Sequence, residues 1–246
     1  MKAVAVIPAR YGSQRFPGKM LEDLGGKPLF VRTVERARQA KRLEDVLVAT
    51  DDPRIAEAAD RERIPVKMTR ADHPSGTDRI AEAVAELDAE VIVNVQGDEP
   101  FMDPALIDRL VVRMEEEPGL DMATASTPIR TVEDLMASSV VKVVCSDAGH
   151  ALYFSRSLIP FCRDADPETM LAEEVFQRHL GLYAYRRPFL LELVRRPPHL
   201  LESLEKLEQL RALALGAKIA VIRTDQPAPG VDTPEDLAEA RRWLSR

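Results

Sequence analysis

Apolar and polar positions in the first half of the chain alternate between two rhythms. Short β-branched runs at residues 3–7, 46–49, 66–68 and 91–95 read as strands, and longer amphipathic stretches at 28–40, 53–63, 77–87 and 104–116 read as helices. Strand followed by helix, repeated in this way, predicts a mostly parallel sheet flanked by helices. Three helix starts are written alike: Asp52-Pro53, Asp103-Pro104 and Thr233-Pro234 each set a capping side chain ahead of a proline at the first helical position.

After about residue 121 the rhythm changes. Strand-like segments at 122–127, 140–144, 152–155 and 180–186 dominate before helices return at 189–194 and 201–215. A strand at 218–222 and a closing helix at 234–244 restore the first pattern, so the two termini are expected in one sheet. The reading is an α/β protein of 246 residues in a single domain, with a core of about 1–120 and 205–246 and an inserted mixed subdomain of about 121–204. In the helix at 201–215, Leu204, Leu207, Leu210 and Ala214 form a core stripe, with Glu208, Gln209 and Arg211 on the solvated side.

Composition excludes several classes. With 45% apolar residues and a net charge of −7 the chain reads as an ordinary globular protein. The apolar N-terminal run stops at Pro8 and Arg10, too early for a signal peptide. No run approaches the roughly 18 apolar residues that a membrane span needs. An acidic balance without a Lys/Arg tract argues against nucleic acid, whose phosphates require a continuous basic face. Cys145 and Cys162 form no CxxC pair and have no histidine partner at zinc spacing, which fits a reducing cytoplasm.

Three segments carry candidate chemistry, two of them directly after strands, which is where open α/β sheets bind ligands, and the third at a helix start. The first, residues 8–19, places Arg10, Arg15 and Lys19 with Gly12 and Gly18 directly after the first strand. It is no Walker A loop, because five residues separate Gly12 from Gly18, Pro17 lacks an N–H and Met20 stands where a Mg²⁺-binding hydroxyl would be. It reads either as a polyphosphate loop, with two guanidiniums for bidentate contacts and one point charge, or as a solvated loop with scattered cations. In the second, residues 91–100, Asp98 follows a buried strand and reads either as a Mg²⁺ ligand or as a turn former before Pro100. In the third, Asp232 reads either as a free carboxylate or as the helix cap itself, since Thr233 and Asp236 already make a capping box around Pro234. Alternation in residues 179–185 puts His179, Gly181, Tyr183 and Tyr185 on one strand face, which is either the polar lining of a cleft or plain surface. Ser75-Gly76-Thr77-Asp78 has the form of a helix cap.

Seven motifs in order, at 7–19, 75–79, 94–100, 151–156, 178–186, 207–211 and 230–237, resemble the 3-deoxy-manno-octulosonate cytidylyltransferases, the CMP-Kdo synthetases. Gly12 and Phe16 depart from the family pattern only in kind of small or apolar residue. The resemblance implies a Rossmann-like nucleotide-diphospho-sugar transferase fold with an inserted dimerisation subdomain. It implies an enzyme that joins CTP and Kdo into CMP-Kdo and pyrophosphate for lipopolysaccharide, as a cytoplasmic homodimer using Mg²⁺ and binding neither nucleic acid nor membrane. By the same resemblance, Lys19, Asp98 and Asp232 are catalytic, and Asp98 and Asp232 hold the metal. Pro8, Ala9, Arg10, Arg15, Lys19, Arg70, Ser75 and Gln96 would bind the nucleotide. Gln96, Arg156, His179, Tyr183, Glu208 and Gln209 would surround the sugar acid, with Arg156 facing its carboxylate.

Overall fold

A computed structural model describes residues 1–12, 16–226 and 229–244. The chain divides into two compact units, residues 1–111 with 228–246, and residues 112–227. The first unit runs β1 (Ala3–Ala9), α1 (Leu29–Ala37), β2 (Asp45–Thr50), α2 (Pro53–Arg61), β3 (Val66–Met68), α3 (Gly76–Ala83) and β4 (Val91–Asn94), and α4 (Pro104–Glu116) continues from it into the second. Its strands lie in the order β3-β2-β1-β4 and all pair in parallel. All seven residues of β1 and all four of β4 are buried, which is why both read as unbroken apolar runs rather than alternating ones. Strand β1 extends past its expected end to Ala9. The β4 ladder stops at Val6, so Pro8 has β2 as its ladder partner and its missing N–H is tolerated there.

Proline-marked helix starts behave as their chemistry dictates. Asp52 accepts from the Arg54 N–H at 2.9 Å and Asp103 from the Ala105 N–H at 3.0 Å. Parallel pairing aims every strand's carboxyl end the same way, so the segments after β1, β2, β3 and β4 gather at one edge.

The second unit holds β5 (Met122–Pro128), α5 (Val132–Met136), β6 (Lys142–Cys145), β7 (Ala151–Ser155), β8 (Gln177–Arg186), α6 (Arg187–Leu193), α7 (Leu200–Glu205), α8 (Gln209–Ala214) and β9 (Ile219–Arg223). Two findings revise the sequence expectations and one agrees with them. Strand β9 pairs in parallel with β5, so residues 205–227 cluster with the second unit and not with the N-terminal core. The closing helix α9 (Pro234–Leu244) does return to the first unit, where Leu237 and Ala240 pack with Leu24, Leu29 and Val231. The expected helix at 201–215 is two short helices, broken where Lys206 takes a left-handed conformation at φ 54°. That break resets the helical phase: Leu204 is 70% exposed and Ala214 is exposed, while Gln209 and Arg211 are buried.

Candidate functional site

At the carboxyl edge of the first unit three loops are tied together by short-range chemistry. Gly18, left-handed at φ 76°, donates its N–H to the Tyr11 carbonyl at 2.8 Å and starts the 3-10 turn Lys19–Leu21. After β4, Gly97 lies so close to its neighbours that a Cβ would stand 3.0 Å from the Met20 Sδ and 3.3 Å from the Pro8 carbonyl. Its own carbonyl accepts from the Thr33 hydroxyl at 2.9 Å, which fixes the loop ahead of Asp98. The Val231 N–H then donates to the Asp98 carbonyl at 2.8 Å and brings the third loop alongside.

Thr233 is the cap of α9. Its hydroxyl accepts from the Asp236 N–H at 3.2 Å, and the Asp236 carboxylate accepts from the N–H groups of Thr233 and Asp232 at 2.8 and 2.9 Å. Burial pulls the Asp236 carboxyl upward, but these bonds outweigh it and leave it below the usual range. Asp232 is therefore not the cap, and its side chain is directed elsewhere. The Lys19 ammonium, 5% exposed as a residue, donates to Asp98 Oδ2 at 2.5 Å, to Asp232 Oδ1 at 3.2 Å and to the Val231 carbonyl at 3.1 Å. The three residues singled out as catalytic thus meet at one nitrogen.

Among the described residues no group of three or more His, Cys, Asp or Glu side chains could hold a metal by itself. Two carboxylates within reach of one ammonium are nonetheless a donor set that suits Mg²⁺, which takes one or two protein oxygens and completes its shell with phosphate and water. Both acids keep water contact, with side-chain exposures of 23% for Asp98 and 49% for Asp232.

Of the remaining nucleotide candidates, Pro8 and Ala9 are buried in β1 and Arg10 donates to the His73 carbonyl at 3.1 Å. Arg15 lies outside the described residues. Arg70 is held on the surface beside Glu82. Ser75 caps α3, accepting from the Asp78 N–H at 3.2 Å and donating to the Asp78 carboxylate at 2.6 Å. Gln96 donates from Nε2 to Asn94 Oδ1 at 3.0 Å. Arg79, left unassigned by sequence reasoning, is 1% exposed, pairs with Asp51 at 2.8 Å and bonds the Thr69 hydroxyl. Burial lowers its pKa, a cost met by Asp51.

The sugar-acid candidates other than Gln96 sit in the second unit. The pair β5 and β8 is antiparallel with a bulge, since Thr124 faces Tyr183 while the next residue, Ala125, faces Leu180. The His179 and Tyr183 rings meet tilted, at 5.4 Å between ring centres, with Phe154 edge-on to His179 at 4.9 Å. Burial pushes the His179 imidazolium down to about 3, so the ring is neutral, and burial followed by the nearby Glu208 charge raises the Tyr183 phenol. The Tyr183 hydroxyl donates to Gln209 Oε1 at 3.5 Å. Gln209 Nε2 and Glu208 Oε2 are buried without hydrogen-bond partners among the described residues. Orphaned donors and acceptors of this kind cost stability unless a ligand answers them.

Arg156 is held by its whole residue. Its N–H donates to the Glu205 carboxylate at 2.8 Å, its Nε to the Glu205 carbonyl at 2.6 Å and its Nη1 to the Ser138 carbonyl at 2.9 Å. Its own carbonyl accepts from Lys142, a fully buried ammonium that also donates to the Ala137 and Val140 carbonyls. Burial lowers the Lys142 pKa. Sequence reasoning missed Lys142 and Glu205. A lysine within a β-branched run is the signal that was there to be read, because an ammonium in a strand core requires several acceptors.

A family described as "Cytidylyltransferase" matches the chain over residues 4–219. The chain belongs to the cytidylyltransferase family. Among its relatives in this family, 3-deoxy-manno-octulosonate cytidylyltransferase of Geobacter sulfurreducens is 48% identical over 249 residues, covering 99% of this chain and 100% of that protein. The enzyme of the same name from Bdellovibrio bacteriovorus is 48% identical over 245 residues, covering 100% of this chain and 98% of that protein. A solved structure of CMP:2-keto-3-deoxy-manno-octonic acid synthetase complexed with CTP superposes with a TM-score of 0.93 at 41% identity, over 100% of this chain and 99% of the other. A second cytidylyltransferase-like fold, 4-diphosphocytidyl-2C-methyl-D-erythritol synthase from Anaerococcus prevotii, shares the fold at a TM-score of 0.66 and 13% identity, with 100% of this chain and 96% of the other covered.

Proposed function

We infer that the chain transfers CMP from CTP to the C2 hydroxyl of Kdo, giving CMP-Kdo and pyrophosphate and so activating the sugar acid for lipopolysaccharide. The observation that carries this reading is full-length likeness to enzymes named for that reaction, 48% identical to one of them and 41% identical to a structure complexed with CTP. The strand-end cluster supports the chemistry. In the step, the C2 hydroxyl loses its proton to solvent and its oxygen bonds to the α-phosphorus, while the bond from that phosphorus to the bridging oxygen of the departing pyrophosphate breaks. No side chain needs to form a covalent intermediate.

Arg10 and Lys19 are the cations we assign to the triphosphate, with Pro8, Ala9, Arg15, Arg70, Ser75 and Gln96 lining the nucleotide. Asp98 and Asp232 are the carboxylates we assign to Mg²⁺. When bound there, the ion supplies charge neutralisation at phosphate and acidifies a coordinated hydroxyl. Lys19, already hydrogen-bonded to both acids, holds them together and offers its charge to a neighbouring phosphate. Arg156, fixed through Glu205 and Lys142, presents a guanidinium to the sugar carboxylate, and the buried amide of Gln209 offers a donor to a sugar hydroxyl.

We place the reaction in the cytoplasm. Free thiols at Cys145 and Cys162 agree with that, and no helix among the described residues is long and apolar enough to cross a membrane. We also propose a homodimer formed through the second unit, where Leu152 and Phe161 are 61% and 83% exposed. Light scattering after size exclusion tests the dimer. Mass spectrometry of the product tests the reaction: CMP-Kdo from CTP and Kdo is expected, and a CMP adduct of sialic acid in its place would retain the chemistry and reject the substrate.

A further inference from the structure

The bulge between β5 and β8 has a chemical consequence for His179. One step along β5, from Thr124 to Ala125, corresponds to three along β8, from Tyr183 to Leu180, so Gly181 and Leu182 face no residue of β5. The Thr124 hydroxyl, fully buried, fills the irregularity and lies 2.8 Å from the Leu182 carbonyl and 3.2 Å from the Leu180 carbonyl. A hydroxyl has one proton, and a carbonyl oxygen can only accept. With that proton committed to a carbonyl, the hydroxyl can only accept from His179 Nε2, which lies 2.9 Å away. The ring is neutral, so a hydrogen on Nε2 leaves Nδ1 bare, and Nδ1 has no partner among the described residues.

We propose that Thr124 is a positioning residue for acceptor recognition, holding His179 in the Nε2–H tautomer so that Nδ1 accepts a hydrogen bond from a hydroxyl of the sugar acid. The proposal deepens the Kdo reading and rests on it. A site built this way selects for a donor: a hydroxyl satisfies Nδ1, whereas an ether oxygen or a deoxy carbon at the same place leaves a buried acceptor unpaired.

The test combines a spectrum with kinetics on the full-length protein. Nitrogen-15 spectra of histidine-labelled protein are expected to show His179 protonated on Nε2, with the assignment made by its loss in His179→Gln. Thr124→Ser keeps the hydroxyl, and is expected to keep both the tautomer and the KM for Kdo within about twofold. Thr124→Val removes the acceptor; the Nε2–H signature is expected to shift and the KM for Kdo to rise about fivefold to tenfold while the KM for CTP stays put. A wild-type ring protonated on Nδ1 overturns the proposal, and so does Thr124→Val with an unchanged KM for Kdo. A merely structural Thr124 would lower thermal stability and move both KM values together with the tautomer intact. Should Thr124→Val fail to fold, the wild-type spectrum and the serine variant still decide. Failure of the Kdo reading itself is seen separately, as wild-type protein that makes no pyrophosphate from CTP and Kdo whatever its tautomer.

Discussion

Replacing Lys19 by Met removes one ammonium and keeps most of the apolar stem. Asp98 and Asp232 then face each other without the cation that lies 2.5 and 3.2 Å from their oxygens. Stranding a fully buried charge costs about 3–5 kcal/mol. Here water reaches both acids, with 23% of the Asp98 side chain and 49% of the Asp232 side chain exposed, so the cost scales down to about 1–3 kcal/mol. For a protein of this size that is a fall in Tm of roughly 3–10 °C in EDTA. The same substitution vacates the space between two hard anionic donors. Mg²⁺ therefore stabilises the variant more than the wild type, by up to about 2.7 kcal/mol when the ion is at a hundred times its Kd. Thermal melts of both proteins in EDTA and across a Mg²⁺ titration, without nucleotide, measure these shifts. Equal Tm values in EDTA together with equal responses to Mg²⁺ would refute the reasoning, because the ammonium would then be holding nothing that the ion replaces.

Asp232→Asn is expected to abolish turnover while CTP binding, read by calorimetry, is retained in part; a near-normal kcat would remove Asp232 from the proposed metal site. Glu205→Gln weakens the hold on Arg156 and is expected to raise the KM for Kdo by about fivefold to tenfold with the KM for CTP unchanged, a split that steady-state kinetics reads directly. His179 contributes to acid sensitivity. Its folded pKa, lowered by burial from 6.5 to about 3, means that the unfolded chain binds a proton the folded one refuses. The stability it contributes is full above pH 6.5 and is lost as pH falls toward 3, at about 1.4 kcal/mol per pH unit. Chemical denaturation of His179→Gln is expected to lack that slope, and an unchanged slope would show that other groups cause it.

The N-terminal half of the architecture was legible because β1 and β4 are buried throughout and two of its helices, α2 and α4, start at Asp-Pro pairs, signals that act over a few residues. Non-local pairing was not legible. Strand β9 belongs to the same sheet as β1, as its rhythm suggests, but its ladder is with β5, and nothing within the five residues Ile219–Arg223 names that partner. The break at Lys206 was hidden because leucines spaced by three continue through it. A non-glycine residue in the left-handed region leaves little trace in sequence, and the break turns Gln209 inward and Leu204 outward. Asp232 shows the same limit from the other side. Spacing left open whether Asp232 is the cap, and the bonds that make Thr233 the cap decided against it. Thr124, Lys142 and Glu205 escaped notice since each acts through a neighbour's backbone or ring.

Pyrophosphate release by the purified protein, with CTP and Kdo, with either one omitted, with sialic acid in place of Kdo, and with Mg²⁺ or EDTA, tests the transfer most directly. Release that requires CTP, Kdo and the ion together is the result expected. Release from CTP without Kdo, or equal release in EDTA, or none at all from folded protein, would contradict it.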